Sequence, residues 1–188
     1  MELIVLGLVA TIGVASYALW SRARAEAPPS GPPALNAAER TPGSLQVGDV
    51  VQHLGTDWVV EGVLALSEDG RAEKPRGRLM RLADGGAERF LWTSSTESDP
   101  SFVALATLAV EGVPAVVQHA GQTFRLTARA TVGALCSGTV GPGRGEHVGL
   151  AEYAAGPSRL VVLDWGASCE AYVGERIGSH QLEFLPGC

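Results

Sequence analysis

The tetrapeptide Val-Val-Gln-His occurs twice, at 50–53 and at 116–119, an offset of 66 residues. Each copy runs through a glycine (Gly55, Gly121) to an aromatic (Trp58, Phe124). A weaker echo follows, in which Leu79-Met80-Arg81-Leu82-Ala83-Asp84-Gly85-Gly86 is matched by Leu150-Ala151-Glu152-Tyr153-Ala154-Ala155-Gly156-Pro157. Each of these leads into an arginine followed by apolar residues, so the body of the chain reads as one unit built twice, over 45–110 and 111–188. Within each half, short runs rich in Val, Leu and aromatics are punctuated by glycine every eight to twelve residues, the signature of antiparallel strands. Only Phe102–Val110, rich in alanine, reads as a short helix. A meander of this size leaves one sheet face apolar, and burying it against its copy is the natural solution. The expected fold is mainly β, two similar antiparallel β-meander halves packed as a sandwich or as a pair of small barrels, preceded by one transmembrane helix.

That helix is read from Leu3–Trp20, an uncharged run of 18 residues. As a helix it spans about 27 Å, close to the roughly 30 Å of a hydrocarbon core. Tyr17 and Trp20 stand where amphipathic rings prefer the headgroup layer, and Arg22 and Arg24 follow, which places the body on the cytoplasmic side of a cell membrane. Ala23-Arg24-Ala25 has the form of a cleavage site, but the start of the chain lacks Lys and Arg and the apolar run exceeds that of a signal peptide, so an uncleaved single-pass anchor over 1–20 is expected. Gly7, Thr11 and Ala15 share one helix face, where small side chains permit close helix–helix approach and a homo-oligomer through the anchor. Residues 21–44 form a linker whose prolines favour extended chain, reaching on the order of 70 Å. Its charges cancel with those of the anchor, so the body carries the whole net charge of −6.

An acidic body opposes nucleic-acid binding, which calls for a basic patch, and is repelled by an anionic leaflet, which leaves membrane attachment to the anchor. Three cysteines are too few for a disulfide scaffold. Cys136 and His147, like Cys169 and His180, stand eleven apart, whereas structural zinc sites hold their ligands in tight pairs. The glycine-dense Gly141-Pro142-Gly143-Arg144-Gly145 lacks the Gly-Lys-Ser/Thr ending of a phosphate cradle and reads as a hairpin loop. There is no G-x-S-x-G elbow or H-E-x-x-H helix. No catalytic residue, metal or cofactor is therefore assigned. The candidate groove or interface residues are His53 and His119, equivalent in the repeat, together with Trp58, Phe124, Tyr153 and Trp165.

Several pieces in order resemble a bacterial family, domain of unknown function 4178. They are Leu45-Gln46-Val47-Gly48-Asp49-Val50-Val51, Trp58-Val59-Val60-Glu61-Gly62, Arg89-Phe90-Leu91, Gly121-Gln122-Thr123-Phe124-Arg125-Leu126, Ala151-Glu152-Tyr153 and Leu163-Asp164-Trp165-Gly166. Arg71-Ala72-Glu73-Lys74-Pro75 stands where members of that family have a Trp-Glu-Glu/Tyr stretch. The resemblance supplies no catalytic residues and implies membrane-associated proteins as partners. The expected function is a membrane-anchored, non-enzymatic binding or scaffold module that uses strand edges or the cleft between its halves. The alternative is a small-molecule-binding or hydrolytic module with a pocket between the halves.

Overall fold

The structure is a computed structural model and describes residues 41–68, 75–108, 110, 112–140 and 147–187. The expected anchor with Gly7, Thr11 and Ala15, most of the linker, and the glycine-dense loop at 141–145 lie outside the described residues. No helix among the described residues is long and apolar enough to cross a membrane.

Eleven strands follow a short 3-10 turn at Pro42–Ser44: β1 Val50–His53, β2 Thr56–Ser67, β3 Gly77–Asp84, β4 Ala87–Ser94, β5 Ser101–Ala106, β6 Val116–His119, β7 Gln122–Gly138, β8 Val148–Ala155, β9 Ser158–Asp164, β10 Cys169–Arg176 and β11 Leu182–Leu185. All ladders are antiparallel, in the order β11-β1-β2-β3-β4-β5-β10-β9-β8-β7-β6, and β2 also pairs with β7. That last pairing closes β2-β3-β4-β5-β10-β9-β8-β7 into one barrel of eight strands. In place of the expected helix at 102–110, residues 101–106 form strand β5, because Ser101, Phe102 and Val103 pair with both β4 and β10 and Ala104–Ala106 continue along β10.

The repeat is real at the level of the backbone. Both Val-Val-Gln-His strands enter two-residue hairpins with positive φ at both turn residues, +50° and +78° at Leu54-Gly55 and +49° and +77° at Ala120-Gly121, the geometry whose twist matches the flanking strands. Twelve residues of β2 and seventeen of β7 follow, each broken by one register shift, between Val60 and Gly62 and between Leu126 and Ala128. These are equivalent positions of the repeat.

The halves do not stack face to face as a sandwich, nor do they close as two small barrels. They join edge to edge, β5 to β10 and β2 to β7. Inside the barrel lies one core drawn from all eight strands, with Leu64, Leu79, Phe90, Val103, Val132, Leu150, Val161 and Tyr172 among its members. An eight-stranded barrel has an interior that side chains just fill. Phe90 and Tyr172 meet there edge-on, with centroids 4.9 Å apart. The alternate residues of each meander point outward and are also apolar. In the first half Val51, Val60, Met80, Leu82 and Leu91 form a second core with Leu182 and, from the linker side, Leu45. In the second half the equivalent Val117, Leu126, Ala151, Tyr153 and Val162 form a third. Each half thus folds its own hairpin back over its outer face.

Close backbone approach at the seams fixes where glycine is needed. Gly62 and Gly138 are paired across β2–β7, and a Cβ on Gly62 would collide with the backbone of Thr139. Gly62→Ala is expected to cost about 1–3 kcal/mol through overpacking, read as a lowered midpoint in denaturant. The opposite change is available at the turn. Leu54 is 85% exposed with φ +50°, and Leu54→Asn is expected to gain about 1 kcal/mol by relieving left-handed strain on a branched residue, measured by thermal unfolding.

Candidate functional site

The six residues singled out from the sequence do not share one groove. His53 and Trp58 come together on Phe102, with ring centroids 4.9 Å and 5.6 Å from it. Phe124 and Tyr153 are fully buried in the third core. His119 is half-buried near the hairpin turn of β6. Trp165, just past β9, packs against the barrel core and donates its indole N–H to Glu170 at 3.2 Å. Tyr172 donates its hydroxyl to the same carboxylate oxygen at 3.0 Å. Burial first, then Glu170, pushes the Tyr172 hydroxyl far up, so it keeps its proton. Cys136 and Cys169 are exposed, on β7 and β10, and no group of three or more His, Cys, Asp or Glu among the described residues is placed to hold a metal ion.

The structure adds a polar cluster that joins the two halves at one end of the barrel. Glu152 on β8 follows the parity of Leu150 and so faces inward; it is 7% exposed. Ser94 on β4 donates to its Oε2 at 3.2 Å, while its buried Oε1 has no hydrogen-bond partner among the described residues. Burial raises the Glu152 carboxyl above the usual range; the Ser94 hydrogen bond and Arg76 oppose this, Glu97 adds to it, and Arg159 opposes it. Beside it Arg159 of β9, 8% exposed, holds Glu97 through Nε at 2.9 Å and Nη2 at 2.8 Å. The same guanidinium donates to the carbonyls of Gly156 and Ser158. Ser94 and Glu97 also line a surface cleft of about 350 Å³, with Thr93, Arg78 and Asp99. A hydroxyl, a carboxyl held toward its neutral form and a paired arginine make a hydrogen-bonding surface.

The repeat places Arg81 and Glu88 where Glu152 and Arg159 stand in the other half. Arg81 Nε lies 2.7 Å from Glu88 and 3.7 Å from Glu61, close in charge but not aligned as a hydrogen bond to either. The signs at these two positions are reversed between the halves. Sequence reading missed the Glu152 end because Ala151-Glu152-Tyr153 stood out only as a family-like piece. The available signal was a lone acid in a strand with apolar residues on both faces.

The other unusual feature is an edge. β1 pairs on one side with β2 and on the other with β11, Val50 facing Leu185 and His53 facing Leu182. Among the described residues, β6 pairs with β7 alone. Its free side carries no Asp, Glu, Lys or Arg, and Val116 is 42% and nearby Val113 38% exposed.

A family model described as a domain of unknown function (DUF4178) matches residues 46–179. No curated protein and no solved structure matches the chain.

Burial of Glu152 has a direct consequence for stability. A raised folded-state carboxyl pKa means that the folded protein holds the proton more tightly than the unfolded chain. The buried carboxyl is therefore tolerated at acid pH, and stability falls as pH rises above the ordinary carboxylate range. Glu152→Gln is expected to raise the melting temperature at pH 8, and the gain should vanish toward pH 4. An unchanged or lowered melting temperature at pH 8 would show that the carboxylate is stabilised by its neighbours.

Proposed function

Residues 46–179 make this chain a member of the DUF4178 family, and we propose that it works as a non-enzymatic binding module tethered to a membrane by one N-terminal helix. The observation that carries this reading is the duplicated hairpin. Of two strands with the same sequence, one is covered by the chain's own β11, while among the described residues the other has an open, uncharged edge. Open strand edges recruit another strand through backbone hydrogen bonds. The apolar run at 3–20 and the linker of 24 residues would hold this edge within reach of proteins on the cytoplasmic face of the same bilayer. The acidic body would stay clear of the lipid surface.

A second reading rests on the barrel end. There Ser94 and Glu97 of the first half meet Glu152 and Arg159 of the second beside a cleft, a place for a small polar ligand. The two readings separate in one experiment. Full-length protein, tagged and crosslinked in its host, is expected to retain a membrane-associated protein that residues 45–188 alone do not. Equal recovery with both forms would remove the tether from the function. Recovery from neither, with a ligand-induced rise in melting temperature that Glu97→Gln abolishes, would favour the cleft.

A further inference from the structure

β11 on β1 is an internal template for what the open edge of β6 accepts. In a two-residue hairpin the residues flanking the turn exchange hydrogen bonds with each other, so alternate residues of the first strand turn their N–H and C=O groups away. In β1 these are Gln52 and Val50, and β11 meets them with Glu183 and Leu185. The side chains of Leu182 and Phe184 then pack with Val51 into the outer core of the first half. In β6 the same groups belong to Gln118 and Val116, in a hairpin of the same turn conformation. Even the cross-strand side-chain bond is kept, Gln52 to Asp57 and Gln118 to Thr123, both at 2.8 Å.

One part of the template is absent from the second copy. Asp49 accepts the N–H of Gln46 at 2.8 Å and the N–H of Gly187 at 3.0 Å, which pins the chain just beyond β11. The equivalent residue is Ala115. Its carbonyl makes the equivalent bond, to the N–H of Leu126 as Asp49 does to Val60, but it has no carboxylate with which to hold a twelfth strand. β11's own outer edge is less suited to a partner. It carries Glu183 and runs directly into Pro186, both features that blunt an edge.

We propose that β6 binds an extended segment of another polypeptide, antiparallel, with the apolar-acidic-aromatic-apolar pattern of Leu182–Leu185, and that the missing carboxylate makes this binding reversible. In the bound register the aromatic faces Val117, the acidic residue faces Gln118, the first apolar residue faces His119 and the last faces Val116. This rests on the binding-module reading and specifies its partner.

The test uses the full chain in detergent micelles and a fluorescein-labelled peptide with the sequence of residues 180–187. Fluorescence anisotropy is expected to show saturable binding. Methylating the backbone nitrogen of the glutamate in the peptide, which cannot affect folding of the protein, should weaken it at least tenfold. Gln118→Pro, which removes an outward N–H on an edge strand where proline is tolerated, should do the same with the melting temperature preserved. Ala115→Asp should tighten binding several-fold by restoring the clamp. No binding, or equal binding of the methylated peptide, overturns the proposal. So does a full chain that light scattering shows to be a dimer and that Gln118→Pro converts to monomer, since a second copy then holds the edge. Capture of a membrane protein in the host despite a silent peptide would overturn the strand pattern and leave the binding-module reading standing. Peptide binding without such capture would overturn the membrane tether alone.

Discussion

One register shift, made twice, carries the architecture. A strand that crossed each half without interruption would either extend the hairpin with β1 or enter the barrel; it could not do both. The breaks at Val60–Gly62 and Leu126–Ala128 re-aim β2 and β7 midway, as bulges do at barrel corners. Before the break, each strand lies in a hairpin folded over the outside. After it, each pairs with the other and seals the barrel. The three cores follow from this one device. The barrel interior forms because the seam closes, and the two outer cores form because the hairpins are turned back over apolar faces that would otherwise meet water. Glycine at 62 and 138 is part of the same requirement, since the seam brings backbone to backbone where a Cβ has no room.

Duplication constrains apolar positions more tightly than charged ones. Leu79 and Leu150, Leu82 and Tyr153, and Leu91 and Val162 keep their places in equivalent cores. Charged residues at equivalent strand positions keep their spacing but exchange their signs: Arg81 and Glu88 lie against each other, whereas opposite-signed Glu152 and Arg159 do not form a pair. The consequence differs because the burial differs. Arg81 sits with two carboxylates within 4 Å and partial solvent access. Glu152 has lost water, and Arg159 has turned to Glu97, so among the described residues the acid has a serine hydroxyl on one oxygen and no partner on the other. A buried carboxyl satisfied on one side only destabilises the fold unless it is protonated, and a ligand reaching this end would find hydrogen-bonding groups already assembled from both halves.

The repeat, the strand-rich body and the hairpin turns were legible in the residues, because Val-Val-Gln-His followed by a turn glycine has a local cause. The way the halves join was not. β9 reads Ser-Arg-Leu-Val-Val-Leu-Asp and is buried at six of seven positions, so the alternation that separates an inner face from an outer one is erased. Sandwich, paired barrels and a single barrel then predict the same string of apolar residues. The strand at 101–106 was misread as helix for a related reason: Phe102-Val103-Ala104-Leu105-Ala106 has helix-permitting alanines, and what makes it a strand is pairing with β4 nearby and β10 in the other half. Long-range pairing overrides local propensity. Glu152 was hidden likewise: a lone acid among apolar residues marks the strand as unusual but does not say which face the acid is on.

The two halves also differ at their hairpin edges. Two equivalent hairpins offer two edges, and among the described residues β11 covers one of them. Had the open edge been a liability only, the simplest remedies would be a lysine, a proline or a shorter strand. β6, itself only four residues long, carries no lysine or proline and repeats the residues of the covered strand, Val-Val-Gln-His. What changed lies one residue outside, where the carboxylate that clamps the chain beyond β11 is replaced by the methyl of Ala115. The pairing surface was kept and the latch was dropped. A closed structural edge needs both, whereas an edge that exchanges its occupant needs only the first.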